Sequence, residues 1–291
     1  MKVAVLGPVG KDYIKIDKHL ELQLGGCSYY ITNTLKNLGA EVTPFIAFDK
    51  KHKDWVESNF QDIEIEHINV KGTLEFHAEY SSDDPNTRTA KAKHSPIVIK
   101  PTKNLLAKLE RFDYIIITSL FYDNTPRELF LKLKHKNLVS GNFGMFSYPK
   151  NGELIWKHPE NLVEVLPYLK YLFLDINEAK FISNKNDLKE MGKFFIDNGL
   201  ENMIITDGSR GSHLFIKNSY YKIPAFSPKK LVDPTGAGDT YLASYIRALE
   251  LFDNPEERGR FAAMTSTISL EKRGAFDSSL KDVLDRLKTK N

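Results

Sequence analysis

The residues Val232-Asp233-Pro234-Thr235-Gly236-Ala237-Gly238-Asp239-Thr240 join an extended segment to a helix rich in small side chains, Ala243, Ser244 and Ala248. Glycines at a helix start let the backbone approach a ligand, and the first amides of a helix have no intrahelical acceptor. The amides of Gly236, Ala237 and Gly238 are therefore expected to point outward at the positive end of the helix dipole, which makes an anion site. Asp239 beside them is explained in part by the dipole, which favours a first-turn carboxylate. It also supplies what phosphoryl transfer needs next to an anion site. A base takes the proton from a hydroxyl while neighbouring donors neutralise the phosphoryl oxygens.

Competing chemistries have little support. There is no Gly-Lys-Ser/Thr phosphate loop, no His-Arg-Asp kinase motif, no His-Glu-x-x-His zinc motif and no Gly-x-Gly-x-x-Gly after the first strand. The eight histidines are scattered without metal-ligand spacing, and Cys27 is the single cysteine, so neither an intrachain disulfide nor a cysteine metal cluster can form. A reducing, cytoplasmic setting is expected. The formal net charge is +3 with 27% charged residues, both signs interspersed, which does not imply a nucleic-acid partner. No stretch approaches the ~20 apolar residues of a bilayer span, and Met1 to Gly7 is too short for a signal-peptide core. No membrane partner is expected.

The elements that must position the motif follow from the apolar pattern. Val3 to Leu6, Val42 to Ala47, Tyr114 to Ile117, Leu138-Val139, Tyr171 to Leu174 and Met203 to Ile205 are short continuous apolar runs. They alternate with helical segments at 28–38, 127–135 and 187–198, and the pattern turns helical at 237–251, 255–271 and 278–288. Runs of this kind are strands buried on both faces, which predicts an α/β fold with a three-layer α/β/α arrangement. With 291 residues and 41% hydrophobic content, one main domain over 1–291 is expected. Residues 12–24 and 65–99 break the rhythm. There Leu74, Phe76, Ala78 and Tyr80 alternate with Glu75, His77 and Glu79, as in a strand with one covered and one wet face. This predicts a small β-sheet lid able to close over a ligand. Asp84-Pro85-Asn86-Thr87 and 224–228 are predicted as turns.

The string 232–240 closely resembles the carboxy-terminal signature of the ribokinase-like, or PfkB, carbohydrate kinases, and the resemblance extends over nearly the whole chain. It implies that Gly236, Ala237 and Gly238 form the anion hole and that Asp239 is the catalytic base. It further implies that Asp12 and the diglycine Gly25-Gly26 bind substrate hydroxyls. ATP is held by the loop containing Thr206, Gly208 and Gly211 and by a pocket around Thr267 and Gly274, and Asp233 and Thr235 are placed where relatives bind a monovalent cation such as K+. Mg2+ arrives with ATP. Two departures stand out. Tyr30 occupies the place of an Asn after the diglycine, so it is expected to line the substrate pocket while sugar specificity does not carry over. In Asp175-Ile176-Asn177-Glu178-Ala179-Lys180, the Asn-x-x-Glu of relatives falls on Asn177 and Lys180, which are expected at the nucleotide, with Lys180 neutralising phosphate charge where relatives have a magnesium-organising carboxylate; Glu178 lies about 200° away from Lys180 round a helix. The implied function is ATP-dependent phosphorylation of a hydroxyl on a small sugar, a polyol such as inositol, or a nucleoside. Arg88 and His94 to Ile97 look more like the inositol and nucleoside branches. A catalytically weakened sugar- or nucleotide-binding regulatory protein is the alternative, motivated by the missing carboxylate. Exposed lid edges predict a homodimer through the lid.

Overall fold

The apolar runs fold as the inner strands of one large sheet. The computed structural model describes the chain apart from residues 17–18, 61, 82–83, 94–96, 122–123, 148–154, 160–161, 218 and 290–291. Among the described residues the strands are β1 (Lys2–Pro8), β2 (Gly10–Ile16), β3 (His19–Gly25), β4 (Glu41–Phe48), β5 (Glu66–Asn69), β6 (Leu74–Ser81), β7 (Asp84–Lys93), β8 (Tyr114–Phe121), β9 (Asn137–Ser147), β10 (Ile155–Trp156), β11 (Leu169–Asp175), β12 (Asn202–Thr206), β13 (Ser212–Ile216) and β14 (Ser219–Ile223). The helices are α1 (Cys27–Asn37), α2 (Lys53–Asn59), α3 (Lys103–Leu109), α4 (Arg127–Leu133), α5 (Leu162–Val165), α6 (Ile176–Ser183), α7 (Leu188–Asp197), α8 (Ala237–Ala248), α9 (Pro255–Ser269) and α10 (Leu280–Lys288).

The large sheet runs β14-β13-β12-β11-β9-β8-β1-β4-β5, with β10 paired to β9. From β12 to β5 all neighbours are parallel, and the hairpin β13-β14 closes one edge antiparallel. Alternate residues of each strand serve opposite faces. Ala4, Leu6, Ile115 and Ile117 pack with α3, α4, α6 and α7, whereas Val3, Val5, Ile116 and Val139 pack with α1, α8 and α9. A sheet sandwiched between two helical layers results, the predicted α/β fold. Each fully buried aliphatic or aromatic side chain stabilises it by about 1.5–3 kcal/mol.

A second sheet has the order β3-β2-β6-β7, with β2 antiparallel to β3 and parallel to β6. Its register pairs Asp12 with Phe76 and Tyr13 with His77, so these pairs alternate between its two faces. Tyr13 and His77 stack at 4.6 Å between ring centroids. The stretch 65–99 is divided between the sheets, because Glu66–Asn69 pair with β4 in the large sheet and only Leu74 onward joins the small one. The turn predicted at Asp84 to Thr87 is instead the beginning of β7. That strand lies at the sheet edge, where a proline is tolerated. Residues His94 to Pro96 and the side chain of Arg88 lie outside the described set.

Candidate active site

The turn before α8 is assembled by its own chemistry. Asp233 Oδ1 accepts from Thr235 N at 2.9 Å, an Asx turn that sets up the sharp bend, and Gly236 follows at φ 75°, a left-handed conformation that glycine adopts without strain. A Cβ on Gly236 would lie 2.4 Å from Tyr30 Cδ1, so the Tyr30 ring lies against this turn. The far side is tied down by α9: Val232 N donates to Leu270 O at 2.8 Å, and Ser266 Oγ donates to Ala237 O at 2.9 Å. Of the three amides predicted to be open, that of Ala237 donates to Pro234 O at 3.3 Å, closing the turn. No side chain caps the helix. An anion at this helix start would meet the remaining amides and the dipole.

Two cavities meet at this helix start. The larger, about 460 Å³, is lined by Thr206, Gly208 and Gly211 on one wall, by Phe226, Leu231 and Leu270 on another, and by Ala237 and Gly238 at its end. The smaller, about 190 Å³, lies beneath the small sheet and is lined by Asp12, Gly26, Cys27, Tyr30, Glu75, Phe76, Thr235, Gly236 and Asp239. Gly25 contributes by what it lacks, since a Cβ there would lie 1.8 Å from Asp12 Oδ2. Thr267 also lines the larger cavity, but its hydroxyl donates to Ala263 O at 2.8 Å and within the helix holds no free donor for a ligand. Gly274 lines neither cavity.

Burial pushes the Asp239 carboxyl up to about 6, and a hydrogen bond from the Cys27 thiol partly opposes this. Burial and the neighbouring Asp239 in turn hold the Cys27 thiol well above its ordinary range. Tyr30 is raised by burial and by Asp12, Asp233 and Asp239 around it.

Asn177 and Lys180, expected to hold the nucleotide, lie on α6. Both are exposed, and neither lines a cavity. Asp175 caps α6 and Glu178 sits at its third position, each bonded to the other's backbone. The capping box fixes the register two residues earlier than predicted, so Asp175-Ile176-Asn177-Glu178 carries the spacing of Asn-x-x-Glu. Glu178 is raised to about 8 by burial, then by the charge of Asp175, with Asp239 contributing. Glu178 lines neither cavity, and its bonds are to Asp175. The sequence signal for this was available: an Asp followed three residues later by Glu at a strand-to-helix junction.

Among the described residues no three His, Cys, Asp or Glu side chains are grouped to hold a metal. Thr235 Oγ1 is buried without a hydrogen-bond partner, an oxygen suited to a monovalent cation beside Asp233. Glu178, crowded by two other carboxylates, suits a divalent cation that would relieve that repulsion. No helix among the described residues is long and apolar enough to cross a membrane.

Known proteins resemble this chain in sequence and in fold. The chain is 31% identical over 145 residues to a nucleoside kinase of Methanocaldococcus jannaschii, covering 49% of this chain and 46% of that one. It is 28% identical over 144 residues to fructokinase-2 of Zea mays, covering 45% and 42%. The chain thus matches less than half the length of either curated relative. Among solved structures, a pyrophosphate-dependent kinase in the ribokinase family, complexed with a pyrophosphate analog and myo-inositol, superposes with a TM-score of 0.82 at 21% identity over 98% of this chain and 99% of that one. Arabidopsis thaliana ribokinase complexed with ribose and ATP superposes at 0.79 and 17% identity, covering 99% and 98%. These likenesses carry the fold. Residues 3–282 match the family model for pfkB family carbohydrate kinases, and with that match over nearly the whole chain, the helix-start motif and the paired cavities have one common setting: the chain belongs to the pfkB family.

Proposed function

We propose that the chain transfers the γ-phosphoryl group of ATP to a hydroxyl of a small sugar, a polyol such as inositol, or a nucleoside, with Asp239 as the general base. The observation that carries this is the division of two cavities by one helix start, with Ala237 and Gly238 facing the larger and Gly236 and Asp239 the smaller. A hydroxyl in the smaller cavity lies beside a carboxylate that is ionised above about pH 6. Asp239 takes its proton, the acceptor oxygen bonds to the γ-phosphorus, and the bond to the β–γ bridging oxygen breaks to release ADP. The open amides and dipole of α8 neutralise charge on the transferred group. Mg2+ brought by the nucleotide would supply further neutralisation, with Glu178 the side chain suited to it. Thr235 and Asp233 are the residues for a monovalent cation.

The apolar wall of Phe226, Pro228, Leu231 and Leu270 suits a purine, which favours ATP over bare pyrophosphate as donor. The small sheet serves as the lid. Its edge strand β3 exposes Leu20 and Leu22, at 62% and 46%, which favours pairing of two copies there. A binding protein without turnover is motivated by a missing carboxylate; Glu178, three residues after the capping Asp175, is a carboxylate at that junction and supports turnover instead. The test is a coupled assay with ATP, then pyrophosphate, against a panel of sugars, polyols and nucleosides. Acceptor-dependent ADP formation is expected; binding without phosphorylated product from any acceptor would overturn the proposal.

A further inference from the structure

The chain returns to the small sheet, at β6, through a polar node outside both cavities. Asp49, directly after β4, accepts through its carboxylate from Lys51 N and from Gly72 N, each at 3.1 Å. Its own N–H donates to Thr73 Oγ1 at 3.2 Å, and His52 Nδ1 lies 2.9 Å from the same hydroxyl. Asp49, Lys51 and His52 belong to the segment that continues the large sheet, whereas Gly72 and Thr73 lead into β6. Thr73 is only 8% exposed, so its hydroxyl bonds are shielded from water. The next three residues, Leu74, Glu75 and Phe76, all line the smaller cavity with Asp239. A second tether crosses nearby, where the Lys11 amine of β2 lies 5.5 Å from the centre of the Trp55 ring on α2.

We propose that Asp49 and Thr73 are positioning residues for the acceptor: together they set the angle at which β6 meets the large sheet, and so the distance between the Phe76 wall and Asp239. This inference rests on the phosphotransfer reading above. The leverage is geometric. Phe76 follows Thr73 by three residues, about 10 Å of strand, so a rotation of about 10° at the node moves it by about 1.7 Å. Displacements of that size are costly to a reaction that depends on held geometry. The carboxylate suits the task because it accepts two backbone bonds from chain segments 21 residues apart, and charge-assisted bonds are the stronger kind. Neither residue touches the helix start or lines the larger cavity, so the donor site lies outside the node's reach.

The experiment compares the full-length parent with Asp49→Ala, Thr73→Val and Thr73→Ser. It measures kcat, the KM for the best acceptor, the KM for ATP, and hydrogen exchange over residues 72–77. Asp49→Ala and Thr73→Val are expected to raise the acceptor KM roughly ten- to hundredfold while the KM for ATP stays within about twofold. Thr73→Ser, which retains the hydroxyl, restores the parent value, and exchange over 72–77 accelerates only in the two disruptive variants. Unchanged acceptor KM in both, or equal rises for acceptor and ATP, would overturn the proposal. If the parent phosphorylates no acceptor, the phosphotransfer reading fails, and the exchange comparison then decides the node alone: local acceleration upholds it, and parent-like exchange overturns it.

Discussion

The two cavities that meet at α8 are built in opposite ways. The larger is made from residues 206–270, mostly backbone turns, small side chains and apolar walls, with no carboxylate in its lining. The smaller draws on residues from Gly10 to Asp239, and Asp12, Glu75 and Asp239 give it three carboxylates. The first can be pre-formed by the rigid core, since Thr240 to Ile246 are all buried there. The second is complete only when the small sheet is in place. Donor and acceptor binding should therefore respond separately to substitution, one through local contacts and the other through the placement of a sheet.

The largest expected break in this comparison is Asp239→Asn. Turnover should fall by ~10²–10⁴, the usual contribution of a general base, while ATP affinity is retained; steady-state rates and calorimetric ATP binding check this. Its stability should move the other way. The folded carboxyl titrates near pH 6 and an unfolded one near 4, so the folded state binds more protons between these values and loses stability as pH rises through that window. Above about pH 6 the ionised group is a standing cost, and Asn removes it. Denaturant melts at pH 7.5 should show a gain of about 1–3 kcal/mol, vanishing near pH 4.

Next in size is the pH profile of the parent. Because Asp239 must be ionised to act, kcat/KM for the acceptor should fall about tenfold per pH unit below about 6, and Asp239→Asn should flatten that limb. A flat parent profile down to pH 5 would detach the base from Asp239. Smaller again is Leu231→Ala on the donor wall, which loses about 1 kcal/mol of apolar contact and should raise the KM for ATP about fivefold with the acceptor KM unchanged. With pyrophosphate as donor the same change should have no effect. The smallest effect is reserved for Lys180→Ala, expected within about twofold of the parent for both substrates, whereas Glu178→Gln should raise the Mg2+ concentration needed for half-maximal rate.

The same contrast explains what could be read from the residues alone. The apolar runs of the large sheet and the long helices α8 and α9 declared themselves through period and length, and the 232–240 turn through contiguous chemistry. The antiparallel hairpin β13-β14 was missed because the run Leu214 to Ile216 is short and follows a glycine turn, and β14, largely exposed from Ser219 to Lys222, has no continuous apolar run. The start of α6 was read two residues late because two acids and an amide lie close together at one junction. Only the cap, with Asp175 bonded to Asn177 N and Glu178 N, fixes which of them starts the helix. Cys27 as a partner of Asp239 depends on a contact 212 residues away in the chain, which no local pattern encodes.

The Lys11–Trp55 contact spans the two sheets, and Trp55 is one of only two tryptophans in the chain. An ammonium group near an indole alters the ring's electronic surroundings, so any movement of β2 relative to α2 changes the environment of a natural chromophore. The molecule thus carries its own emission probe of lid position, readable by stopped-flow mixing with acceptor and silent to mixing with donor alone if the two cavities close independently.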